Sequence, residues 1–177
     1  MSQCFSRPAH ILVVDDDEDD RRFFQEAIAR ACPWMVVTFL GDTDHLLEAL
    51  ECTGPSLVFI DYKLPGENGI EGVQRMRRHP RFRALPVVMW STGNLPAVAA
   101  AAYGAGVQHF LEKPWDLAVW TRDIIRVLEQ NGITLLPRAA PELSGLQDNP
   151  RQAKRGARLS PQPLVESSII TEAQAKT

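Results

Sequence analysis

The sequence has no long hydrophobic run and only three cysteines in its 177 residues. Apolar stretches such as residues 35–40 and 57–60 are far shorter than the roughly 20 residues of a membrane-spanning helix. The first ten residues lack the apolar segment of a secretory signal. Cys4, Cys32 and Cys52 form no CxxC pair, which disfavours a disulfide framework and a zinc finger. These absences predict a protein of the reducing cytoplasm without a membrane segment.

The last quarter of the chain also lacks aromatic residues. Residues 1–131 carry a net charge of −5 and residues 132–177 one of +2, and the later segment holds five prolines. Such a segment has little apolar surface to offset the entropy of ordering. The composition predicts a domain at residues 8–131 and a flexible Pro/Ser/Gln-rich tail at 132–177, with one β-capable stretch at 164–170. The overall charge of −3 does not favour a general nucleic-acid binder.

Short apolar segments alternate with amphipathic segments along the first 131 residues. An apolar run without alternation is typical of a strand buried on both faces, and apolar residues spaced three and four apart indicate a helix. The pattern predicts an α/β domain with a five-stranded parallel sheet and helices on both faces. Strands are predicted at residues 11–14, 35–40, 56–60, 86–90 and 107–111, and helices at 21–31, 42–50, 69–78, 94–103 and 115–130.

Polar side chains follow four of the predicted strands. They are Asp15 and Asp16 after the first strand, Asp61 after the third, Ser91 after the fourth and Lys113 after the fifth. Because ligands of such sheets bind beyond the carboxyl ends of the strands, we expect one shared site. Clustered carboxylates repel each other, and Mg²⁺, which takes oxygen ligands, relieves that repulsion. Asp61 then suits a nucleophile that forms an aspartyl phosphate, with Lys113 and Ser91 holding the other phosphoryl oxygens.

Four stretches of the sequence resemble the receiver domain of two-component response regulators. They are residues 11–16 (ILVVDD), 57–66 (LVFIDYKLPG) with Gly69, 85–92 (LPVVMWST) and 109–114 (HFLEKP). The four occur in the order of the family with similar spacing, and the resemblance covers about residues 8–131. It implies a (βα)5 flavodoxin-like fold and Mg²⁺ as the cofactor.

The resemblance implies a role for each matching position around the metal. Asp61 would be the phosphoacceptor and would face the metal. Asp16 would bind Mg²⁺ directly and Asp15 mainly through a water molecule. The backbone carbonyl of Lys63 would be a further metal ligand.

The same resemblance implies a switch on the last two strands. Ser91 would be the hydroxyl that moves toward the phosphoryl group on activation, and Phe110 the aromatic residue that follows it inward. Phe110 lacks the hydroxyl of the commoner Tyr, so a switching hydrogen bond through it is lost. Lys113 would pair with the phosphoryl group, and its bond to Pro114 would be cis.

Two positions carry residues that are less common in the resembling family. Lys63 and Thr92 occupy positions that flank the path of the water attacking the aspartyl phosphate. Thr92 is bulkier than the frequent Ala or Gly. We therefore expect slower spontaneous dephosphorylation than with Ala at this position.

These features predict a single-domain response regulator rather than an enzyme. A sensor histidine kinase would supply the phosphoryl group, and residues 75–92 resemble single-domain regulators that occur with phytochrome-type kinases. Residues 132–177 are too short and too poor in apolar periodicity for a helix-turn-helix module, so no DNA-binding domain is expected. The output would go to a downstream protein target. Val119 and Ile125 on the last helix form an apolar stripe that suits a homodimer or a kinase interface.

Two other functions remain open from the sequence. The run Asp15 to Glu18 matches part of the DxDx(T/V) motif of haloacid-dehalogenase-type phosphotransferases, which would make Asp15 the acceptor but leave Asp61 unexplained. A phosphorylation-independent adaptor would keep the same residues. Residues 17–20 are interpreted as a solvated helix start. The five arginines at 75–83 are interpreted as a solvated helix end and loop.

Overall fold

A computed structural model describes residues 9–93 and 96–133. Every strand is followed by a helix, which confirms the predicted α/β class with a five-stranded parallel sheet. The strands are β1 (His10–Val14), β2 (Val36–Leu40), β3 (Leu57–Asp61), β4 (Val87–Ser91) and β5 (His109–Glu112). The helices are α1 (Glu18–Ala31), α2 (Leu46–Thr53), α3 (Gly69–Arg78), α4 (Pro96–Gly104) and α5 (Leu117–Gln130).

The strands lie in the order β2-β1-β3-β4-β5, and all neighbours are parallel. Ile11 pairs with Val37 on one side and Leu57 on the other, and Val88 pairs with His109 near the far edge. β3 and β4 are buried at every residue because helices cover both faces of the sheet. The strand order changes direction between β1 and β3, and folds of this type bind ligands at the carboxyl ends beside that point.

Turn geometry sets where the first two helices begin. Asp17 caps α1 by accepting the backbone N–H of Asp19 at 2.8 Å, so the helix begins three residues before the predicted residue 21. α2 begins at Leu46 rather than at residue 42, since the Asp42 side chain accepts a backbone N–H two residues later in a turn. The start predicted for the fourth helix, residue 94, lies outside the described residues.

The face of the sheet under α1 and α5 holds an aromatic core. The ring of Phe24 lies 5.0 Å from that of Phe59 and 5.3 Å from that of Trp90, between centroids. Trp90 lies 4.7 Å from Trp120 of α5. All three pairs have the edge-to-face geometry that adds to the stabilisation from burial. Trp120 lies on the inner side of α5 and is 2% exposed.

The opposite face, under α2, α3 and α4, holds an aliphatic core. Its largest fully buried side chains are those of Leu12, Leu46, Leu50, Ile60, Met76 and Met89. α4 contributes one buried side chain, that of Ala102. Because an alanine buries little apolar area, α4 is anchored less firmly than the helices on either side of it.

Several predictions concern single features outside the two cores. Val119 and Ile125 are half-buried on α5. The peptide bonds among the described residues include no cis bond. The expectation of a cis bond before Pro114 is therefore wrong, and the bond keeps the modest trans preference of an X–Pro bond.

The tail predicted at residues 132–177, including the stretch at 164–170, lies beyond the described residues after Ile133. Within the described part, none of the helices combines the length and the apolar character that a membrane span requires.

Candidate functional site

The carboxyl ends of four strands bring the predicted polar residues to one edge of the sheet. Asp61 and Ser91 are the last residues of β3 and β4, while Asp15 and Lys113 directly follow β1 and β5. The backbone N–H of Lys113 donates to the carbonyl of Ser91 at 2.9 Å, and that of Asp15 donates to the carbonyl of Leu40 at 2.9 Å. These bonds continue the sheet ladder and fix both residues at the edge.

Three carboxylates meet at this edge. Asp15, Asp16 and Asp61 each place one carboxylate oxygen within 4.8 Å of the others. Asp15 is fully buried and Asp61 is 5% exposed, while Asp16 faces solvent. Burial raises the pKa of Asp61 to about 6; Lys113 opposes the rise and the charge of Asp15 adds to it. Burial also raises the pKa of Asp15.

Lys113 brings a buried positive charge to these carboxylates. Its Nζ lies 2.8 Å from Asp15 Oδ2, 2.7 Å from Asp20 Oδ2 and 3.4 Å from Asp61 Oδ1. Burial alone would lower the pKa of Lys113, but the three carboxylates outweigh that effect and raise the pKa above its ordinary value. The same Nζ lies 5.8 Å from the ring centroid of Trp90. The ammonium group therefore remains charged where it meets the aromatic core.

The donor atoms at this edge fit a hard divalent cation. Asp15, Asp16 and Asp61 supply carboxylate oxygens, the ligands that Mg²⁺ prefers, and the exposed side of the cluster leaves room for the waters that Mg²⁺ retains. Asp15 Oδ2 is buried and pairs with Lys113 Nζ at 2.8 Å. A carboxylate oxygen has a second lone pair, so this oxygen keeps coordination capacity for a metal. Lys63, the predicted carbonyl ligand, lies two residues after Asp61 in the next loop.

A close backbone contact fixes the loop between β3 and α3. The backbone N–H of Gly69 donates to the carbonyl of Tyr62 at 2.9 Å. A Cβ atom at Gly69 would lie 2.1 Å from the carbonyl oxygen of Asp61, a distance that no side chain allows. Glycine is therefore required here, and the start of α3 rests directly on the residue that carries the central carboxylate.

A second set of contacts, which we term the loop brace, joins this loop to the loop between β2 and α2. The brace consists of Thr43, Glu67 and Arg75. Glu67 Oε2 accepts the Thr43 hydroxyl at 2.9 Å and pairs with the Arg75 guanidinium at 2.8 Å. Arg75 also donates to the backbone carbonyl of Thr43. Thr43 is 1% exposed, so the brace is partly shielded from water and holds the loop that contains Lys63.

The two predicted switch residues lie near each other in the sheet, on β4 and β5. Ser91 is fully buried, and its hydroxyl donates a long hydrogen bond of 3.4 Å to the carbonyl of Thr92. Phe110 is half-buried against the aliphatic core, and its backbone N–H donates to the hydroxyl of Tyr103 on α4 at 3.3 Å. The serine hydroxyl is thus weakly held. Phe110 is hydrogen-bonded to α4, the helix that buries the least apolar surface.

The model of the response regulator receiver domain family matches residues 11–124. The chain belongs to this family. Receiver domains are phosphorylated on an aspartate and bind Mg²⁺ at an acidic cluster. The match favours a receiver over the haloacid-dehalogenase-type alternative, in which Asp15 would be the acceptor.

Two curated relatives show how far the similarity of this receiver domain extends. The chain is 30% identical over 121 residues to the two-component response regulator ARR16 of Arabidopsis thaliana, covering 62% of this chain and 74% of that protein. It is 30% identical over 125 residues to the chemotaxis protein CheY1 of Helicobacter pylori, covering 68% of this chain and 98% of that protein. The covered share of other relatives is as low as 19%, so related receiver segments also occur in much longer proteins.

A solved structure shares the fold of this receiver domain. The crystal structure of the phosphorylated cyanobacterial phytochrome response regulator RcpA has a TM-score of 0.63 and 23% sequence identity. The similarity covers 69% of this chain and 92% of RcpA. The agreement confirms the flavodoxin-like architecture.

Asp20 belongs to the site of this receiver domain, although the sequence placed it in a solvated helix start. That interpretation suits Asp17, which caps α1, and Asp19, which is exposed. It is wrong for Asp20, whose Oδ2 lies 2.7 Å from Lys113 Nζ. The available signal was helical spacing, because Asp20 lies four residues before Phe24 on the buried side of α1.

Two of the five arginines at 75–83 donate hydrogen bonds to the backbone of other segments, which corrects the prediction of a solvated segment. Arg75 belongs to the loop brace. Arg77 donates to the carbonyl of Phe82 at 3.1 Å and to that of Gly106 at 2.8 Å, and burial lowers its pKa. The remaining three are exposed as predicted: Arg78, Arg81 and Arg83.

Proposed function

We propose that this chain is a phosphorylation switch in which Asp61 accepts a phosphoryl group from a sensor histidine kinase in the presence of Mg²⁺. The observation that carries the proposal is the surroundings of the Asp61 carboxylate. It is 5% exposed, lies within 4.8 Å of carboxylate oxygens of Asp15 and Asp16, and contacts the Lys113 ammonium at 3.4 Å. A nucleophile, a cation-binding cluster and a fixed positive charge thus meet at one point.

The transfer step forms one bond and breaks one. A carboxylate oxygen of Asp61 attacks the phosphorus of a phosphohistidine, and the P–N bond breaks as the P–O bond forms. The imidazole nitrogen keeps the electron pair of the broken bond. With a proton on its other nitrogen, the imidazole leaves as a neutral ring.

Two side chains of this chain would hold the transferred group. Lys113 Nζ would donate to one phosphoryl oxygen, and the Ser91 hydroxyl would leave its long bond to donate to another. Asp15, Asp16, Asp61 and the carbonyl of Lys63 would hold Mg²⁺, which neutralises negative charge on the phosphoryl group when it is bound.

We propose that the chain is not an enzyme in the sense of turning over a separate substrate. Hydrolysis of its own aspartyl phosphate would be the only further reaction at the site, and it would be slow. Thr92 is exposed directly after Ser91, and Lys63 is exposed two residues after Asp61. Side chains of this size at these positions would hinder the approach of water.

The output would travel through the weakly anchored side of the domain. When Ser91 moves toward the phosphoryl group, Phe110 would follow it and alter its contact with Tyr103 on α4. We infer that the face formed by α4, β5 and α5 contacts a downstream protein, and that the half-buried Val119 and Ile125 make a homodimer through α5 possible. We propose that the receiver occupies residues 8–131, is followed by the tail at 132–177, and acts in the cytoplasm.

The exposure of Trp115 supports a protein, rather than a small molecule alone, as the donor of the phosphoryl group to Asp61. It is 96% exposed and lies two residues after Lys113, at the rim of the site. A large exposed aromatic residue is a frequent anchor of protein interfaces. A kinase domain that presents its phosphohistidine to Asp61 would cover this rim. The name of RcpA refers to a phytochrome, and a phytochrome-type kinase is therefore the first donor to test.

The test is intact mass after incubation with acetyl phosphate and Mg²⁺, on the wild type and on Asp61→Asn. The proposal expects one phosphoryl group on the wild type and none on the variant. Labelling that survives Asp61→Asn but vanishes in Asp15→Asn would support the phosphotransferase alternative. Absence of labelling, both with acetyl phosphate and with a phosphorylated kinase, would favour the adaptor.

A further inference from the structure

We propose that Asp20 is a latch on Lys113, a positioning residue that slows phosphorylation of Asp61 and strengthens Mg²⁺ binding. The inference rests on the proposed function of the site and adds a regulatory residue to it. The role depends on which carboxylate holds the lysine before the phosphoryl group arrives.

The contact distances favour Asp20 over Asp61 as the partner of Lys113. The Nζ atom lies 2.7 Å from Asp20 Oδ2 and 3.4 Å from Asp61 Oδ1. The shorter contact is also a hydrogen bond between charged groups, which is about twice as strong as a neutral one. The lysine side chain is 5% exposed, so water competes little for its protons. The resting position of Lys113 is therefore set by Asp20 and Asp15, with Asp61 as the looser partner.

This arrangement opposes the arrival of a phosphoryl group. The Nζ atom has three protons, and its close partners are the carboxylates of Asp15, Asp20 and Asp61. Donation to a phosphoryl oxygen requires that Lys113 weaken one of these contacts. In addition, the negative charge of Asp20 repels the dianionic phosphodonor. Neutralising Asp20 removes both obstacles, so phosphorylation becomes faster.

The same arrangement favours a bound cation. While Asp20 draws Lys113 toward α1, the positive charge of the lysine bears less on the Asp61 carboxylate that would hold Mg²⁺. The Asp20 charge itself also attracts a cation. Neutralising Asp20 lets Lys113 pair more closely with Asp61, so Mg²⁺ binding becomes weaker. The two effects have opposite signs, which a merely structural role would not produce.

The experiment compares Asp20→Asn with Asp19→Asn as a matched control. Asp19 lies in the same first turn of α1, and its side chain is 78% exposed, so this variant loses the same charge at the same helix end without touching Lys113. Mg²⁺ affinity is measured by tryptophan fluorescence in the absence of a phosphodonor, since Trp90 lies beside Lys113. The initial rate of phosphorylation by acetyl phosphate is measured by intact mass at saturating Mg²⁺.

We expect Asp20→Asn to bind Mg²⁺ about threefold more weakly and to be phosphorylated roughly fivefold faster than the wild type, as for the loss of a partly shielded charge pair. Asp19→Asn should match the wild type in both measurements. Asp20→Glu, which restores a carboxylate, should return both values toward the wild type.

Three outcomes would overturn the latch. The first is an unchanged or slower phosphorylation rate in Asp20→Asn. The second is equal Mg²⁺ affinity in Asp20→Asn and Asp19→Asn. The third is a loss in both measurements, which indicates a structural defect. If the wild type takes no phosphoryl group at all, the proposed function fails, and the Mg²⁺ comparison alone decides the latch.

Discussion

The aromatic core and the acidic edge are both buried and lie side by side, yet they affect folding in opposite ways. The core packs Phe24, Phe59, Trp90 and Trp120 with centroids close to 5 Å apart. The edge buries two carboxylates whose pKa values are raised by that burial. One region stabilises the fold, and the other is maintained at a cost to stability, as expected of a functional site.

The two regions touch at Lys113 and Trp90, where the ammonium lies 5.8 Å from the ring centroid. The aromatic core can therefore serve as a rigid support for the buried, charged edge. Substitutions that act on one region and leave the other unchanged separate the two roles.

The largest effect is expected in the aromatic core. Phe24→Ala should lower the free energy of unfolding by about 3–5 kcal/mol, because it removes a ring that packs against four others and leaves a cavity. Urea denaturation measures the change. Phe23→Ala is the control, since Phe23 is 41% exposed and its loss should matter much less. Equal losses in both variants would show that the aromatic core is not the main support.

The next largest change in the free energy of unfolding should be an increase, and it is expected at Asp61. The pKa of Asp61 is about 6 in the folded protein against 3.8 for the free group, so the folded state binds more protons than the unfolded state between these values. Stability contributed by this residue therefore falls as pH rises from about 4 to 6, and the penalty is complete above that range. Without Mg²⁺ at pH 7.5, Asp61→Asn should raise the free energy of unfolding by about 1–3 kcal/mol.

Urea denaturation at pH 7.5 and pH 4.5 checks this sign. The gain from Asp61→Asn should shrink at the lower pH, where the wild-type carboxyl is already protonated in the folded protein. A gain that is the same at both values would contradict the role of burial in raising the pKa.

The loop brace should couple a small loss of stability to a loss of metal affinity. Thr43→Val removes the hydroxyl that donates to Glu67, which should cost about 1 kcal/mol of stability. If the brace positions the loop that contains Lys63, Mg²⁺ affinity should fall severalfold. Thr53→Val is the matched control, because the Thr53 hydroxyl bonds within α2 to the carbonyl of Ala49. Isothermal titration should show weakened binding in the first variant alone.

The smallest effect on stability is expected at the rim. Trp115→Ala should change the free energy of unfolding by less than about 0.5 kcal/mol, because the side chain is almost wholly exposed. Labelling by acetyl phosphate should be unchanged, while transfer from a phosphorylated histidine kinase should slow about tenfold if Trp115 anchors the kinase. Equal rates from the kinase in both proteins would remove Trp115 from the interface.

The fold could be predicted because local patterns and the final structure agree. Uninterrupted apolar segments marked strands that are buried on both faces, and apolar residues spaced three and four apart marked the helices. The main site followed from one rule, that parallel strands end at a common edge. The rule placed Asp15, Asp61 and Lys113 together without any knowledge of distances.

The features that the sequence did not predict depend on contacts between residues that are remote in the sequence. Asp20 meets Lys113 across 93 positions, and only its helical spacing to Phe24 separates it from the solvated Asp19. The loop brace joins Thr43 to Glu67 across 24 positions and to Arg75 across 32. Local composition gives each of these residues an ordinary surface role, and only the packing of the elements selects their partners.

The contact between Gly69 and Asp61 limits which residues can replace glycine at position 69 during evolution. Any Cβ atom at position 69 would collide with the backbone of the central strand β3. A mutational scan should therefore find no tolerated substitution at this position. Gly66 offers a contrast, since a Cβ there would meet no atom within 4 Å and would be disfavoured by its positive φ of 78° alone. Under selection for a working site, position 69 should remain glycine in every survivor, while position 66 should still admit asparagine.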